Sequence, residues 1–167
     1  MIFTTKAEYG VRLLVELGRQ PSDQPVSLKA ISEAEGLPLA YLERIAALLK
    51  KAGMVAATRG AHGGYRLARD PAAITMDVVV LALEGVVAPM ACFIDDSTTE
   101  RGVLCSHTED GGEACATKLL WMRVHGGVLR ALAATTLAEL IAFADHGPAL
   151  PAGAVAAVAP PAIQRHL

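Results

Sequence analysis

The chain has 167 residues, of which 53% are hydrophobic and only 4% aromatic, and a formal net charge of −2. This length suits one domain with an appendage and excludes a large multi-domain enzyme, and the low aromatic content favours helices over a β-sandwich. The charge is uneven, because residues 1–70 carry ten Lys/Arg and seven Asp/Glu whereas residues 71–167 carry five and ten. The first part therefore suits a polyanionic partner better than the second.

The chain shows no membrane or export signal. No uncharged apolar stretch is long enough for a transmembrane helix, and the first dozen residues, with Lys6, Glu8 and Arg12, lack the apolar run of a signal peptide. We therefore expect a cytoplasmic protein without a membrane partner. In that compartment, three cysteines are typical of free thiols or metal ligands rather than of a disulfide framework.

The first predicted helix covers residues 1–20. Its apolar side chains recur at helical spacing. Thr5 and Glu8 have the spacing of a capping box, which predicts that they lie at the start of this helix.

Two shorter helices are predicted next. Residues 27–36 begin with Ser27 as N-cap and end with Gly36, and residues 39–52 follow after a tight connection. Two short helices joined in this way predict a helix-turn-helix.

A β-hairpin follows these helices. Residues 54–58 and 65–68 are predicted strands, and the tip between them, RGAHGG, is rich in glycine. The basic side chains of this wing are Arg59, His62 and Arg66. A helix-turn-helix followed by a hairpin predicts a winged helix in residues 1–85. In such a domain the third helix lies in the major groove of double-stranded DNA and the wing approaches the backbone or minor groove.

The rest of the chain alternates between helices and segments without periodicity. A fourth helix is predicted at 75–85, and residues 86–114 form a long acidic connection. Residues 115–146 are predicted as a long helix followed by a short one that opens with a second capping box. The long helix is apolar over much of its surface and needs a partner. The tail, residues 147–167, is rich in alanine and proline and is predicted to be disordered.

The three cysteines bracket the acidic connection. Twelve residues separate Cys92 from Cys105, and nine separate Cys105 from Cys115, so no CxxC pair is present. Thiolates with one nitrogen or oxygen ligand, such as His107 or a carboxylate, suit an iron–sulfur cluster or zinc. Three unrelated thiols and a thiol–disulfide switch are the alternatives. A Cys105–His107 nucleophile is unfavourable, because no orienting group is evident and acidic neighbours disfavour a thiolate.

Several blocks of the sequence resemble one family of regulators. TTKAEYGVRLLVELG, the run from VSLKAISEAEG to RGAHGGYRLARD, and CATKLLW followed by TLAEL are similar to the IscR/NsrR family of winged-helix transcription regulators, many of which hold an iron–sulfur cluster. The resemblance covers residues 1–145. It implies a homodimer built on the long helix and a regulator, expected to be a repressor, that senses redox state, iron or nitric oxide. It implies neither an enzyme nor a small-molecule substrate.

The resemblance also assigns cluster ligands. The three thiolates that it implies, for a 2Fe–2S or 4Fe–4S cluster, are Cys92, Cys105 and Cys115. Lys118 stands where the IscR branch has a histidine ligand. Glu8 occupies the place where other branches supply an acidic ligand from the partner subunit, with the capping box as its competing role. The expected order for the fourth ligand is therefore Glu8, then His107, then a carboxylate such as Asp110.

DNA contacts are assigned in the same way. Glu43 in the third helix and Arg59 in the wing match positions that members of the family use on promoter DNA. The full set expected at DNA is Tyr41, Glu43, Arg44, Lys50, Arg59, His62 and Arg66. Pro38 and Ala40 replace serines that some relatives have beside the glutamate, so we expect a different base specificity.

Overall fold

The computed structural model describes residues 3–60, 63–85 and 116–147, which form six α-helices and one β-hairpin. In chain order the elements are α1 Thr5–Arg19, α2 Leu28–Glu35, α3 Leu39–Lys51, β1 Val55–Thr58, β2 Gly64–Leu67, a 3₁₀ turn Pro71–Ala73, α4 Met76–Glu84, α5 Ala116–Ala134 and α6 Leu137–His146. Within these ranges no helix has the length and hydropathy to cross a membrane. The predicted mainly helical winged-helix fold is confirmed.

Local signals fix the helix-turn-helix. The Ser27 hydroxyl accepts a hydrogen bond from the Ala30 amide (3.1 Å), which caps α2 as predicted. Gly36 ends α2 with a φ of 65°, a left-handed conformation that glycine adopts without steric cost. Pro38 then precedes the first residue of α3 and restricts how the chain enters that helix. The turn between α2 and α3 is therefore set by short-range chemistry.

The hairpin is attached to the loop before α2. Strands β1 and β2 are antiparallel, with Val55 opposite Leu67 and Thr58 opposite Gly64. Val26 and Tyr65 exchange two backbone hydrogen bonds of 2.8 Å each. This extra bridge holds the base of the wing beside the start of α2.

One apolar core joins the elements. Its fully buried members include residues from α1, α2, α3 and α4, and also from α6, which follows the long helix. The largest are Leu13, Leu14, Ile31, Leu42, Ile45, Leu49, Met54, Val79 and Leu137. The Leu137 amide donates to the Ile74 carbonyl oxygen (2.8 Å), and the Met76 amide donates to the Thr135 carbonyl oxygen (2.9 Å). The core thus contains residues from both predicted regions, 1–85 and 115–146.

The start of α1 differs from the prediction. Thr4, not Thr5, is the N-cap, and its hydroxyl accepts a hydrogen bond from the Lys6 amide (3.1 Å). Since the helix begins at Thr5, Glu8 lies one position too far along to complete a capping box. The capping box between Thr136 and Glu139 is confirmed.

Several predictions concern residues outside the described ranges. These are the predictions for the acidic connection, the tail beyond Gly147, and His62, Cys92, Cys105, His107, Asp110 and Cys115.

Candidate nucleic-acid interface and sensor site

A groove lies between α3 and the wing, and we call it the α3–wing groove. It is lined by Ser27, Leu28, Lys29, Leu39, Glu43, Lys50, Ala57, Thr58, Arg59, Gly64 and Tyr65. Among the described residues, its lining contains three cationic side chains and one acidic side chain, a formal charge of +2. Positive charge along a groove beside the recognition helix favours contact with phosphates.

The charged groups of the groove are available to a ligand. Lys50, Arg59 and Glu43 are exposed and have no ion-pair partner among the described residues. Lys29 lies 3.9 Å from Glu33, but both side chains are largely exposed and such a pair is weak. A free carboxylate such as that of Glu43 accepts hydrogen bonds from the amino group of cytosine in the major groove.

Of the other sequence-predicted DNA residues, His62 lies outside the described residues and the remaining three lie elsewhere. Tyr41 packs its ring edge-on against Tyr9, with centroids 5.7 Å apart, and its hydroxyl lies 3.5 Å from the Thr5 hydroxyl. Arg44 is exposed on α3 but does not line the groove. Arg66 lines a second groove, at the base of the wing, together with Arg69. The predicted set is therefore divided, and Glu43, Lys50 and Arg59 are the members that the α3–wing groove brings together.

Sequence reasoning missed Lys29. This residue lies in the first turn of α2 and lines the same groove as Arg59. Its position after the Ser27 cap was the available signal, because side chains at a helix N-terminus in a helix-turn-helix lie close to the DNA backbone.

Glu84, the last residue of α4, binds the start of α1. Its Oε1 accepts hydrogen bonds from the Thr4 hydroxyl (2.6 Å), the Thr4 amide (3.0 Å) and the Ala7 amide (3.2 Å). Lys6 Nζ lies 3.7 Å from the other carboxylate oxygen and donates to the Leu83 carbonyl oxygen at 2.8 Å. Burial raises the pKa of Glu84, but the hydrogen bonds from Thr4 and Ala7 and the charge of Lys6 outweigh it, and the pKa lies below its usual 4.5.

Glu8 is left free by this arrangement. It lies in α1 one turn beyond Thr4 and is exposed, and its side chain has no hydrogen-bond or ion-pair partner among the described residues. The described ranges contain no group of three or more metal-binding side chains, and all three cysteines lie outside them. Three thiolates with one carboxylate form a donor set that iron accepts. A free, exposed carboxylate on α1 fits the role of the fourth donor.

The fold and the basic groove define a winged-helix protein of the DNA-binding type. The chain belongs to the Rrf2 family: residues 3–142 match the family described as iron-dependent transcriptional regulator. The resemblance to IscR-type regulators is confirmed, and the family consists of transcriptional regulators rather than enzymes.

Individual relatives agree with this assignment. Protein rrf2 of Nitratidesulfovibrio vulgaris is 35% identical over 148 residues, which cover 89% of this chain and 92% of that protein. The solved structure of T. potens IscR has a TM-score of 0.66 at 33% identity, covering 90% of this chain and 94% of the other. The structure of CymR, described as the global cysteine regulator of B. subtilis, has a TM-score of 0.65 at 31% identity, covering 86% and 98%.

Proposed function

We propose that this protein is a cytoplasmic, homodimeric transcriptional regulator whose affinity for promoter DNA depends on an iron–sulfur cluster. Cys92, Cys105 and Cys115 supply the thiolates and Glu8 the fourth donor. The observation that carries the proposal is the free carboxylate of Glu8, which lies on α1 near the end of α4, the helix that the cysteine-bearing residues follow in sequence. The family description, iron-dependent transcriptional regulator, supports the same conclusion.

The position of Glu84 supports the assignment of Glu8. Glu84 is hydrogen-bonded to the Ala7 amide, and the chain continues from Gly85 into residues 86–115, which we call the cysteine segment. The end of α4, which the cysteine segment follows in sequence, therefore lies beside the turn of α1 that carries Glu8. A bound cluster would supply a group that oxidation or nitric oxide alters. Because one of its ligands lies on α1 and the others in the cysteine segment, such an alteration would change the contacts of the DNA-binding domain.

The α3–wing groove supports DNA as the partner. Lys50 and Arg59 suit phosphates, and Glu43 suits a base edge. A protein with such a groove binds duplex DNA with an affinity that falls as salt rises.

The surface of α5 supports a homodimer. This 19-residue helix has no buried residue in the single chain, and Leu119, Leu120 and Met122 are 51%, 56% and 50% exposed. An apolar helix of this length is stabilised by packing against another helix. A second copy of α5 provides one with the same apolar surface.

Anaerobic purification followed by a visible spectrum and assays for iron and sulfide tests the cluster. We expect a brown protein with absorption between about 320 and 420 nm, where thiolate-to-iron charge transfer falls. A colourless protein with neither iron nor sulfide after attempted reconstitution contradicts the cluster, and a colourless protein with bound zinc indicates a zinc site instead.

Substitution of Glu8 tests the fourth donor. Glu8→Gln keeps the size of the side chain but weakens a carboxylate ligand, so we expect faster loss of the cluster absorption in air than in the wild-type protein. Glu33→Gln, at an exposed carboxylate on α2, is the matched control. Equal decay rates in Glu8→Gln and Glu33→Gln would assign the fourth position to another group, His107 first.

A thiol-based regulator is the second candidate. The solved neighbour CymR is described as a cysteine regulator, and it covers most of this chain. In this case the cysteine segment responds through a disulfide involving Cys105 or Cys115, with no metal. Mass spectrometry of the oxidised protein distinguishes the candidates, because a disulfide lowers the mass by about 2 Da.

A further inference from the structure

A short series of contacts leads from the end of α4 to the recognition helix α3. It passes from Glu84 to the first turn of α1, and from that turn to Tyr41 of α3. We propose that Glu84 is a positioning residue that transmits the state of the cysteine segment to α3 through the start of α1. This inference rests on the proposed function, because it requires a sensor in the cysteine segment.

The first contact joins α4 to α1. The Glu84 carboxylate, only 10% exposed, accepts hydrogen bonds from both the hydroxyl and the amide of Thr4, the residue that caps α1. Gly85 follows with a φ of 76° and a ψ of −134°, a conformation that side-chain-bearing residues rarely adopt. The direction in which the chain leaves α4 is thus linked to a carboxylate that holds the cap of α1. A displacement of Glu84 leaves the Thr4 amide without its acceptor.

The second contact joins α1 to α3. The rings of Tyr9 and Tyr41 pack edge-to-face at an interplanar angle of 88°, and the Thr5 and Tyr41 hydroxyls are within hydrogen-bonding distance. Tyr41 lies in the first turn of α3, where its amide donates to the Pro38 carbonyl oxygen (3.0 Å). Glu43, which faces the α3–wing groove, is two residues further along. A shift in the first turn of α1 therefore acts on the part of α3 that a helix-turn-helix uses to contact bases.

Glu8 and the contacts of Glu84 lie on the same turn of α1. Glu8 belongs to α1 itself. Glu84, the last residue of α4, is hydrogen-bonded to the start of α1. A displacement of the chain that follows Gly85 therefore acts directly on the contacts of Glu84 with Thr4 and Ala7. The opposite end of α1 has a comparable ion pair, Arg19 to Asp145 of α6 at 2.7 Å, which involves neither Glu8 nor Glu84.

The experiment compares the Kd for promoter DNA of cluster-loaded and cluster-free protein, by fluorescence anisotropy at fixed salt, in the wild type, Glu84→Gln and Asp145→Asn. Glutamine keeps acceptors for Thr4 and Ala7 but loses the charge that faces Lys6. We expect the ratio of the two Kd values to fall from at least about fivefold in the wild type toward one in Glu84→Gln, and to stay at the wild-type value in Asp145→Asn. Lys6→Met, which leaves the hydrogen bonds of Glu84 in place, is a milder second variant for which a smaller decrease is expected.

The outcomes separate this inference from the proposed function. A wild-type ratio well above one that is retained in Glu84→Gln overturns the role of Glu84 and leaves the proposed function intact. A wild-type ratio of one overturns the proposed function and the role of Glu84 with it.

Hydrogen exchange on the cluster-free protein gives a second readout that does not depend on the cluster. Glu84→Gln is expected to raise deuterium uptake in residues 5–10 and also in residues 38–45, whereas Asp145→Asn changes neither. Unchanged uptake in residues 38–45 of Glu84→Gln overturns the path to α3.

Discussion

Removal of Arg59 measures what one cation of the α3–wing groove contributes to DNA binding. Arg59→Ala lowers the formal charge of the groove lining from +2 to +1. One phosphate contact contributes about 0.9 to the slope of log K against log salt, so between 1 M and 0.1 M salt it changes affinity about eightfold, or about 1.2 kcal/mol. We therefore expect the Kd at 0.1 M salt to rise about eightfold for each wing that contacts a phosphate, with the slope reduced by about 0.9 per contact.

Fluorescence anisotropy with a labelled promoter duplex, repeated at several salt concentrations, gives both the Kd and its salt slope. The matched control is Arg19→Ala, which removes the same charge from a residue paired with Asp145 outside the groove. Sedimentation of each variant checks that the oligomeric state is unchanged. If Arg59→Ala binds with the wild-type Kd and salt slope, the wing does not contact DNA through this residue and the electrostatic reasoning is refuted.

Three further predictions concern stability and assembly. Gly64→Ala places a Cβ 2.5 Å from the Val26 carbonyl oxygen, so we expect urea denaturation to show a loss of about 1–3 kcal/mol. Gly127→Ala, whose Cβ meets no atom within 4 Å, is the control, and equal stability of the two variants would contradict the close packing at the wing. Because the pKa of Glu84 is lowered in the folded state, the unfolded chain takes up a proton at this residue more readily than the folded chain as pH falls below 4.5. The stabilisation from Glu84 is present above that pH and is lost as pH falls through the lowered pKa. The Tm of Glu84→Gln should therefore depend less steeply on acid pH than the Tm of the wild type. Identical pH profiles of the two proteins would contradict this role of the Glu84 carboxylate. Leu120→Glu introduces a charge into the exposed apolar surface of α5 and should shift the protein toward monomer in sedimentation, whereas Ala34→Glu on exposed α2 should not. A stable Leu120→Glu dimer would place the interface elsewhere.

Elements with short-range signals were predictable from the sequence. Ser27 and Gly36 bound α2 because a cap acts within three or four residues, and the Thr136 capping box has the same local character. The first turn of α1 was predicted wrongly because its acceptor, Glu84, lies about 80 residues away in the chain. A pattern within one helix contains no information about such a partner.

The candidate DNA site was likewise predictable from the sequence only in part. Glu43 and Arg59 were predicted from the resemblance, and the groove places them with Lys50. The packing of Tyr41 against Tyr9 was not predictable, because it depends on how α1 crosses α3. The thiolate ligands stay a prediction from the sequence.

The dependence of DNA affinity on the cluster tests the central claim most directly. Wild-type protein reconstituted anaerobically with iron and sulfide, and the same protein after removal of iron by a chelator, are titrated against one promoter duplex at one salt concentration. We expect the two Kd values to differ at least about fivefold, since coupling between two sites typically reaches that size. Equal Kd values for the two forms, with the cluster verified by its spectrum, would contradict a cluster-controlled regulator.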